Sequence, residues 1–123
     1  VALSIFAASK FNVMYIFVDI DNTIAYSKGM DYASSEPIVE NIEKVNRLYD
    51  EGHTVVYWTA RGVKTGINWR DLTTQQLKDW GAKYHELRLD KPNYDVFIDD
   101  KTLNTLDWEN GQWIEKFIER KKS

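Results

Sequence analysis

Tyr15-Ile16-Phe17-Val18-Asp19-Ile20-Asp21-Asn22-Thr23 is the stretch on which the reading of this chain turns. An unbroken apolar run ends abruptly on an acid, as expected of a strand in a parallel sheet covered on both faces. Downstream, a polar stretch from Tyr26 to Ser35 has Gly29 as its turn point. Ser35 is placed to cap a helix, with Glu36 and Pro37 in the first turn. Ile38, Ile42, Val45 and Leu48 then form one apolar helix face, and Gly52 closes it. His53-Thr54-Val55-Val56-Tyr57-Trp58 reads as a second buried strand, followed by Thr59-Ala60-Arg61-Gly62 and a loop through Lys64 and Gly66. Thr73-x-x-Gln76 has the spacing of a capping box, opening a helix with Leu77 and Trp80 that stops at Gly81. Residues 84–89 read as a third strand. Lys91-Pro92 breaks the chain before a fourth, residues 94–98, which ends in Asp99-Asp100. Trp113, Ile114, Phe117 and Ile118 recur at helical spacing. The order β-α-β-α-β-β-α implies an α/β fold, a parallel sheet flanked by helices.

At 123 residues the chain has room for one domain, read as residues 14–123. Val1 to Val13 carries a short apolar patch without a basic segment or a clear cleavage site. It reads as a leader, tag remnant or upstream extension rather than a secretory signal. With 43% hydrophobic and 28% charged residues the composition is that of an ordinary globular domain. The lack of cysteine excludes disulfides, thiolate metal sites and cysteine nucleophiles, and fits a reducing cytoplasm. A net charge of −3 argues against gripping nucleic acid by bulk electrostatics, and the basic run Arg120-Lys121-Lys122 reads as a solvated helix end. No apolar stretch is long enough to cross a bilayer, so no membrane partner is expected.

In open parallel sheets, ligands bind beyond the carboxyl ends of the strands. Here those ends carry Asp19-x-Asp21-x-Thr23, Thr59-x-Arg61 and Asp99-Asp100, with Lys91 just before the last strand. Each has a plain structural reading alone: Asp21-Asn22 a turn, Thr59 a cap, Asp99-Asp100 the start of a loop. Their convergence on one sheet edge points to a functional site.

On these motifs the chain resembles the haloacid dehalogenase-like (HAD) superfamily of aspartyl-phosphate hydrolases. Ile16 to Thr23 is similar to its first motif, a hydrophobic strand running into DxDxT. Val55 to Thr59 is similar to the second, Lys91 to the third-motif lysine, and Val96 to Asp100 to the acidic fourth. The likeness covers about residues 14 to 107. Asn22 departs from the glycine of many members, which bears on the turn rather than the chemistry. The resemblance implies a Rossmann-like three-layer α/β/α sandwich with a mainly parallel sheet. It also implies Asp19 as the nucleophile, transiently phosphorylated, in a magnesium-dependent phosphomonoesterase.

A phosphate monoester dianion repels an attacking carboxylate, so charge must be neutralised before Asp19 can approach phosphorus. Mg²⁺ prefers a few carboxylates plus waters and a substrate oxygen. Its ligands by resemblance are Asp19, the backbone carbonyl of Asp21, and one or both of Asp99 and Asp100. Lys91 supplies a point positive charge, and the Thr59 hydroxyl can donate to a phosphoryl oxygen. Thr23, from the first motif, is counted with the phosphate-binding residues. Asp21 would protonate the leaving alkoxide and later deprotonate the hydrolytic water. Family dehalogenases lack this second acid and attack carbon, so its presence favours phosphoryl transfer.

The intervals between motifs hold little beyond a helix each, leaving no room for a cap domain. The site should be open, covered by a large substrate or by neighbouring subunits of a homo-oligomer. The run Thr59-Ala60-Arg61-Gly62, Trp69, Thr73-Thr74, Gln76-Leu77, Trp80-Gly81 and Lys91-Pro92 resembles short phosphatases of capsular-polysaccharide gene clusters. That likeness implies a sugar phosphate or activated-sugar precursor as substrate. It makes Arg61 a candidate phosphate contact, against its reading as an ordinary ion pair. Two alternatives stand beside this. One is a polynucleotide end phosphatase, since Ile98 to Thr102 resembles polynucleotide kinase-phosphatases. The other is a non-catalytic module that keeps the fold for binding. His53 and His85 lie away from the strands' carboxyl ends and read as structural.

Overall fold

The computed structural model describes residues 13–111, in two compact units, 13–93 and 94–111. The upstream extension before Val13, the helix expected from Trp113 to Ile118 and the basic run at Arg120 lie outside the described residues.

The first unit is a small α/β fold. Its sheet has the order β1-β4-β5, formed by Tyr15–Val18, Thr54–Trp58 and Glu86–Arg88, with both pairings parallel. Tyr15 lies opposite Thr54 and Val18 opposite Tyr57, while Val56 faces Glu86 and Trp58 faces Arg88. All three strands therefore point their carboxyl ends the same way, which puts Asp19, Thr59 and the segment leading to Lys91 at one edge. β-Branched and aromatic side chains in β4 suit this central position, and Val55, Val56 and Tyr57 are fully buried.

Helix α1, Val39–Asp50, packs against β4 through the stripe Ile42, Val45 and Leu48 that the sequence spacing predicts. It begins after Ile38 rather than at Ser35, and no side chain caps it. The residues ahead of it form an antiparallel hairpin, β2 (Ala25–Lys28) and β3 (Asp31–Pro37), turning at Gly29. The expected polar loop and Ser35 cap are thus replaced by two paired strands. Neither strand shows the apolar alternation that marks a sheet face, and part of their cohesion is polar, with Ser27 Oγ and Ser35 Oγ 2.6 Å apart. Helix α2, Arg70–Asp79, starts ahead of the supposed capping box, so Thr73 and Gln76 lie within it.

Among the described residues, Tyr15 and Phe17 on β1 are 66% and 43% exposed, while Val18 is buried. In the second unit, residues 94–98 are not a strand, contrary to the sequence reading. An apolar run is necessary for a buried strand, but membership of a sheet is decided by a pairing partner that the local sequence does not encode. This unit does contain a short helix, α3 (Thr105–Glu109), capped by Asn104 Oδ1 accepting from the Leu106 N–H at 2.9 Å. Among the described residues no helix is long and apolar enough to cross a membrane.

Candidate functional site

The chain leaves β1 at Val18 and reverses within a few residues. The Ile20 carbonyl accepts from the N–H groups of Thr23, Ile24 and Ala25, and Asn22 sits at φ +63°. That left-handed conformation is one that asparagine adopts more readily than other non-glycine residues. Asn41 of α1, 2% exposed, donates to the Thr23 carbonyl at 2.8 Å and ties the turn to the helix. The turn therefore holds Asp19 and Asp21 on a rigid support.

Asp19 is half-buried and its Oδ1 lies 3.3 Å from Lys91 Nζ. Burial pushes its carboxyl above the ordinary carboxylate pKa, against the opposing pull of the Lys91 ammonium. Lys91 also donates its backbone N–H to the Thr59 carbonyl at 3.2 Å, and Thr59 in turn donates its N–H to the Arg88 carbonyl at 2.9 Å. The ends of β4 and β5 are thereby laced together, and the structure joins Asp19, Lys91 and Thr59 in one neighbourhood. Thr59 is buried, and its Oγ1 accepts from the Arg61 N–H at 3.2 Å. Because a hydroxyl carries one proton and two lone pairs, that contact leaves the Thr59 proton to be donated elsewhere.

Asp21 faces a different partner. Arg61 Nε meets its Oδ2 at 3.0 Å and Nη2 meets its Oδ1 at 2.8 Å, a two-point fork, while Ser27 Oγ donates to Oδ1 at 2.5 Å. Arg61 Nη1 donates to Thr73 Oγ1 at 3.0 Å and to Gln76 Oε1 at 2.6 Å, and Nη2 also reaches Ser35 Oγ at 3.4 Å. Its guanidinium lies 4.7 Å from the Tyr32 ring centroid, and Tyr32 packs edge-on against Trp69. Arg61 would reach a phosphoryl oxygen only by releasing one of these partners. Burial, and then the Asp21 charge, raise the Tyr32 phenol pKa, while Arg61 pulls it down.

Several of these residues escape a motif reading. Ser27, Ser35 and Tyr32 sit in a stretch that looks like a polar loop. Thr73 and Gln76 carry a helix-start spacing, yet both side chains are spent on Arg61. A usable signal was their recurrence with Trp69 in the run that resembles the capsular phosphatases. His53 and His85 each accept a backbone N–H through Nδ1, from Met14 at 3.0 Å and Val55 at 3.1 Å.

Asp99 and Asp100 belong to the second unit, where the Asp99 carboxylate accepts from the Lys101 N–H at 3.4 Å. Among the described residues no group of three or more His, Asp or Glu side chains is gathered to hold a metal ion. In the first unit, Asp19 is the carboxylate at the strand edge that is not forked by arginine. A single hard oxygen donor of this kind suits Mg²⁺, which keeps several waters and takes one or two carboxylates.

No family model matches the chain, and no curated protein does. Among solved structures, the fold is similar to a crystal structure of a structural-genomics target from Vibrio cholerae. The TM-score is 0.76 at 22% identity, over 89% of this chain and 99% of that one. The likeness shows the α/β fold alone.

Proposed function

We propose that the chain is a magnesium-dependent phosphomonoesterase of HAD type, acting on a sugar phosphate or related metabolite. The observation that carries this reading is the Asp19–Lys91–Thr59 neighbourhood. It sets a half-buried carboxylate 3.3 Å from an ammonium at the carboxyl edge of a parallel sheet, and the backbone N–H of the same lysine donates to the carbonyl of buried Thr59. Under this reading the fold is completed as a three-layer sandwich without a cap domain, and the protein works in the cytoplasm.

Asp21 enters the step protonated on substrate binding. Asp19 Oδ attacks phosphorus, the bond from phosphorus to the substrate oxygen breaks, and the departing alkoxide takes that proton, which the hydrolytic water later restores. Asp21 then removes a proton from water as the water oxygen attacks phosphorus, and the bond to Asp19 breaks. The sum is ester plus water giving alcohol plus phosphate. Lys91 neutralises the phosphoryl group as it approaches Asp19, and Thr59 donates to one of its oxygens. By the sequence resemblance, the first unit would hold Mg²⁺ through Asp19 and the Asp21 carbonyl. When bound it would offset the charge repulsion between carboxylate and phosphate. Thr23 supports the turn through its backbone.

The test is a phosphatase screen with Mg²⁺ over sugar phosphates, nucleotides, 5′- and 3′-phosphorylated oligonucleotides and an aryl phosphate, with Asp19→Asn alongside. Hydrolysis that Asp19→Asn abolishes supports the reading. A wild-type chain inert toward every substrate, the aryl phosphate included, refutes it. Preference for oligonucleotide ends would move the substrate to nucleic acid.

A further inference from the structure

Arginine carries five N–H donors in a planar fork. In this protein each has an acceptor: Asp21 Oδ2 and Oδ1, Thr73 Oγ1, Gln76 Oε1 and Ser35 Oγ. The Arg61 side chain is 0% exposed and the Asp21 side chain 20%. A buried guanidinium with every donor used cannot swing without leaving a polar group unpaired, so its geometry is fixed by its acceptors. Those acceptors come from separate elements. Thr73 and Gln76 stand one turn apart on α2, and Ser35 is on β3. Gln76 also donates through Nε2 to the Tyr32 carbonyl at 2.6 Å, which sets its amide oxygen toward Arg61. The only partner of the guanidinium in the first motif is Asp21, and it is gripped at both carboxylate oxygens.

We propose that Arg61 is the positioning residue of Asp21. The fork, braced by Thr73 and Gln76, holds the Asp21 carboxylate at a fixed place and tilt, and makes no contact with the phosphoryl group. This rests on the phosphatase reading and gives Arg61 a different place in it from that of a phosphate ligand. A phosphate ligand would act on every substrate alike, whereas a residue acting through Asp21 affects the steps in which a proton moves. Proton transfer needs the acid within hydrogen-bond reach of the leaving oxygen, so a loosened Asp21 slows an alkyl leaving group most. An aryl leaving group departs with little proton assistance, and the next demand on Asp21 comes when water attacks the phosphorylated Asp19.

Arg61→Lys keeps the charge and removes the fork. With a sugar phosphate, kcat should fall by about 10- to 100-fold with KM changed less than about threefold. With para-nitrophenyl phosphate, a rapid burst of about one nitrophenol per protein should precede slow turnover, because phosphorylation proceeds while its hydrolysis stalls. Thr73→Val removes one brace of Arg61 and leaves the contacts of Asp21 in place. It should show the same pattern at about 3- to 10-fold, and it decides the matter if circular dichroism shows Arg61→Lys unfolded. A raised KM at preserved kcat, or equal losses on both substrates without a burst, overturns the inference and returns Arg61 to the phosphate. If the wild type turns over neither substrate, the phosphatase reading falls and this inference with it. An active wild type with the wrong variant pattern removes this inference alone.

Discussion

Gly62 follows Arg61 directly, and replacing it by alanine is the sharpest mechanical test of how the site is braced. Its φ is +83°, and an added Cβ would overlap the backbone carbonyl oxygen of Ile67 and come within 3.2 Å of Trp69 Cδ1. Gly66, four residues on, has nearly the same conformation at φ +79°, yet a Cβ there meets nothing within 4 Å. The pair therefore separates backbone strain from collision. Holding an L-residue in the left-handed region costs about 1–2 kcal/mol at either position. Overpacking adds about 1–3 kcal/mol at Gly62 alone, because the obstacle is backbone and cannot rotate away. Gly62→Ala should thus cost about 2–5 kcal/mol and Gly66→Ala about 1–2 kcal/mol.

The assay is urea unfolding followed by circular dichroism. With a slope of about 1–3 kcal/mol per molar, the two midpoints should differ by about 1 M, Gly62→Ala being the lower. The displaced Ile67 carbonyl lies just ahead of Trp69, the residue before α2, so Thr73 and Gln76 move with it. Any activity should therefore drop in Gly62→Ala even well below its unfolding midpoint, and persist in Gly66→Ala. Equal midpoints for the two variants would refute the collision argument. Full activity in a folded Gly62→Ala would refute the claim that this turn sets the brace on Arg61.

Tyr57→Phe should raise stability by about 1 kcal/mol, since the Tyr57 hydroxyl is buried with no hydrogen-bond partner among the described residues. Its ring packing against Tyr84 at 5.7 Å survives the change, and thermal melting reads the gain. Burial lowers the His53 pKa below its ordinary 6.5 while Nδ1 accepts the Met14 N–H, so the unfolded chain binds its proton first. The His53 contribution is present above 6.5 and is lost as pH falls below it; in His53→Gln the urea midpoint should fall less between pH 7.5 and 5.5 than in the wild type. Asp19 has the opposite sign: burial raises its pKa above 3.8, so its stabilising share is complete below that pH and disappears as pH rises. In buffer with EDTA, Asp19→Asn should be more stable than wild type at pH 7, and the gap should close toward pH 4. A gap that stays constant with pH would show that Asp19 ionisation does not govern it.

The strands and the α1 face were legible because burial writes a local signature: continuous apolar runs in β1 and β4, and the Ile42, Val45 and Leu48 stripe on α1. The hairpin was not. Its strands are polar on both sides and are held by pairing with each other, information that a window of sequence does not contain. Residues 94–98 fail in the reverse direction, apolar enough for a strand and yet not one. Within the site, Asp19, Asp21, Thr59 and Lys91 could be picked out by residue type at strand ends. The service of Thr73 and Gln76 to Arg61 could not, because an (i, i+3) pair of Thr and Gln is the same string whether it closes a helix end or grips an arginine. What distinguishes the two is where the helix begins, and Arg70 comes first.

Asp19 and Asp21 are two residues apart and chemically alike, yet the fold gives them unequal cations, and the inequality matches the labour each would perform. Lysine is a compact point charge on a flexible stem. Lys91 Nζ lies 3.3 Å from Asp19 Oδ1, a positive charge at the place where a dianion would arrive on the phosphatase reading. Arginine is a rigid fork, and Arg61 takes both oxygens of Asp21 while three other side chains hold its remaining donors. On the phosphatase reading Asp19 has to advance on phosphorus, and a point charge on a flexible stem can follow it. On the same reading Asp21 carries a proton in two successive steps, and the fork on both its oxygens keeps it in one place. Exchanging the two cations, as Lys91→Arg with Arg61→Lys, preserves net charge and should lose more activity than either single change. Recovery in the double variant would show that the site needs only its charges and not the shapes that carry them.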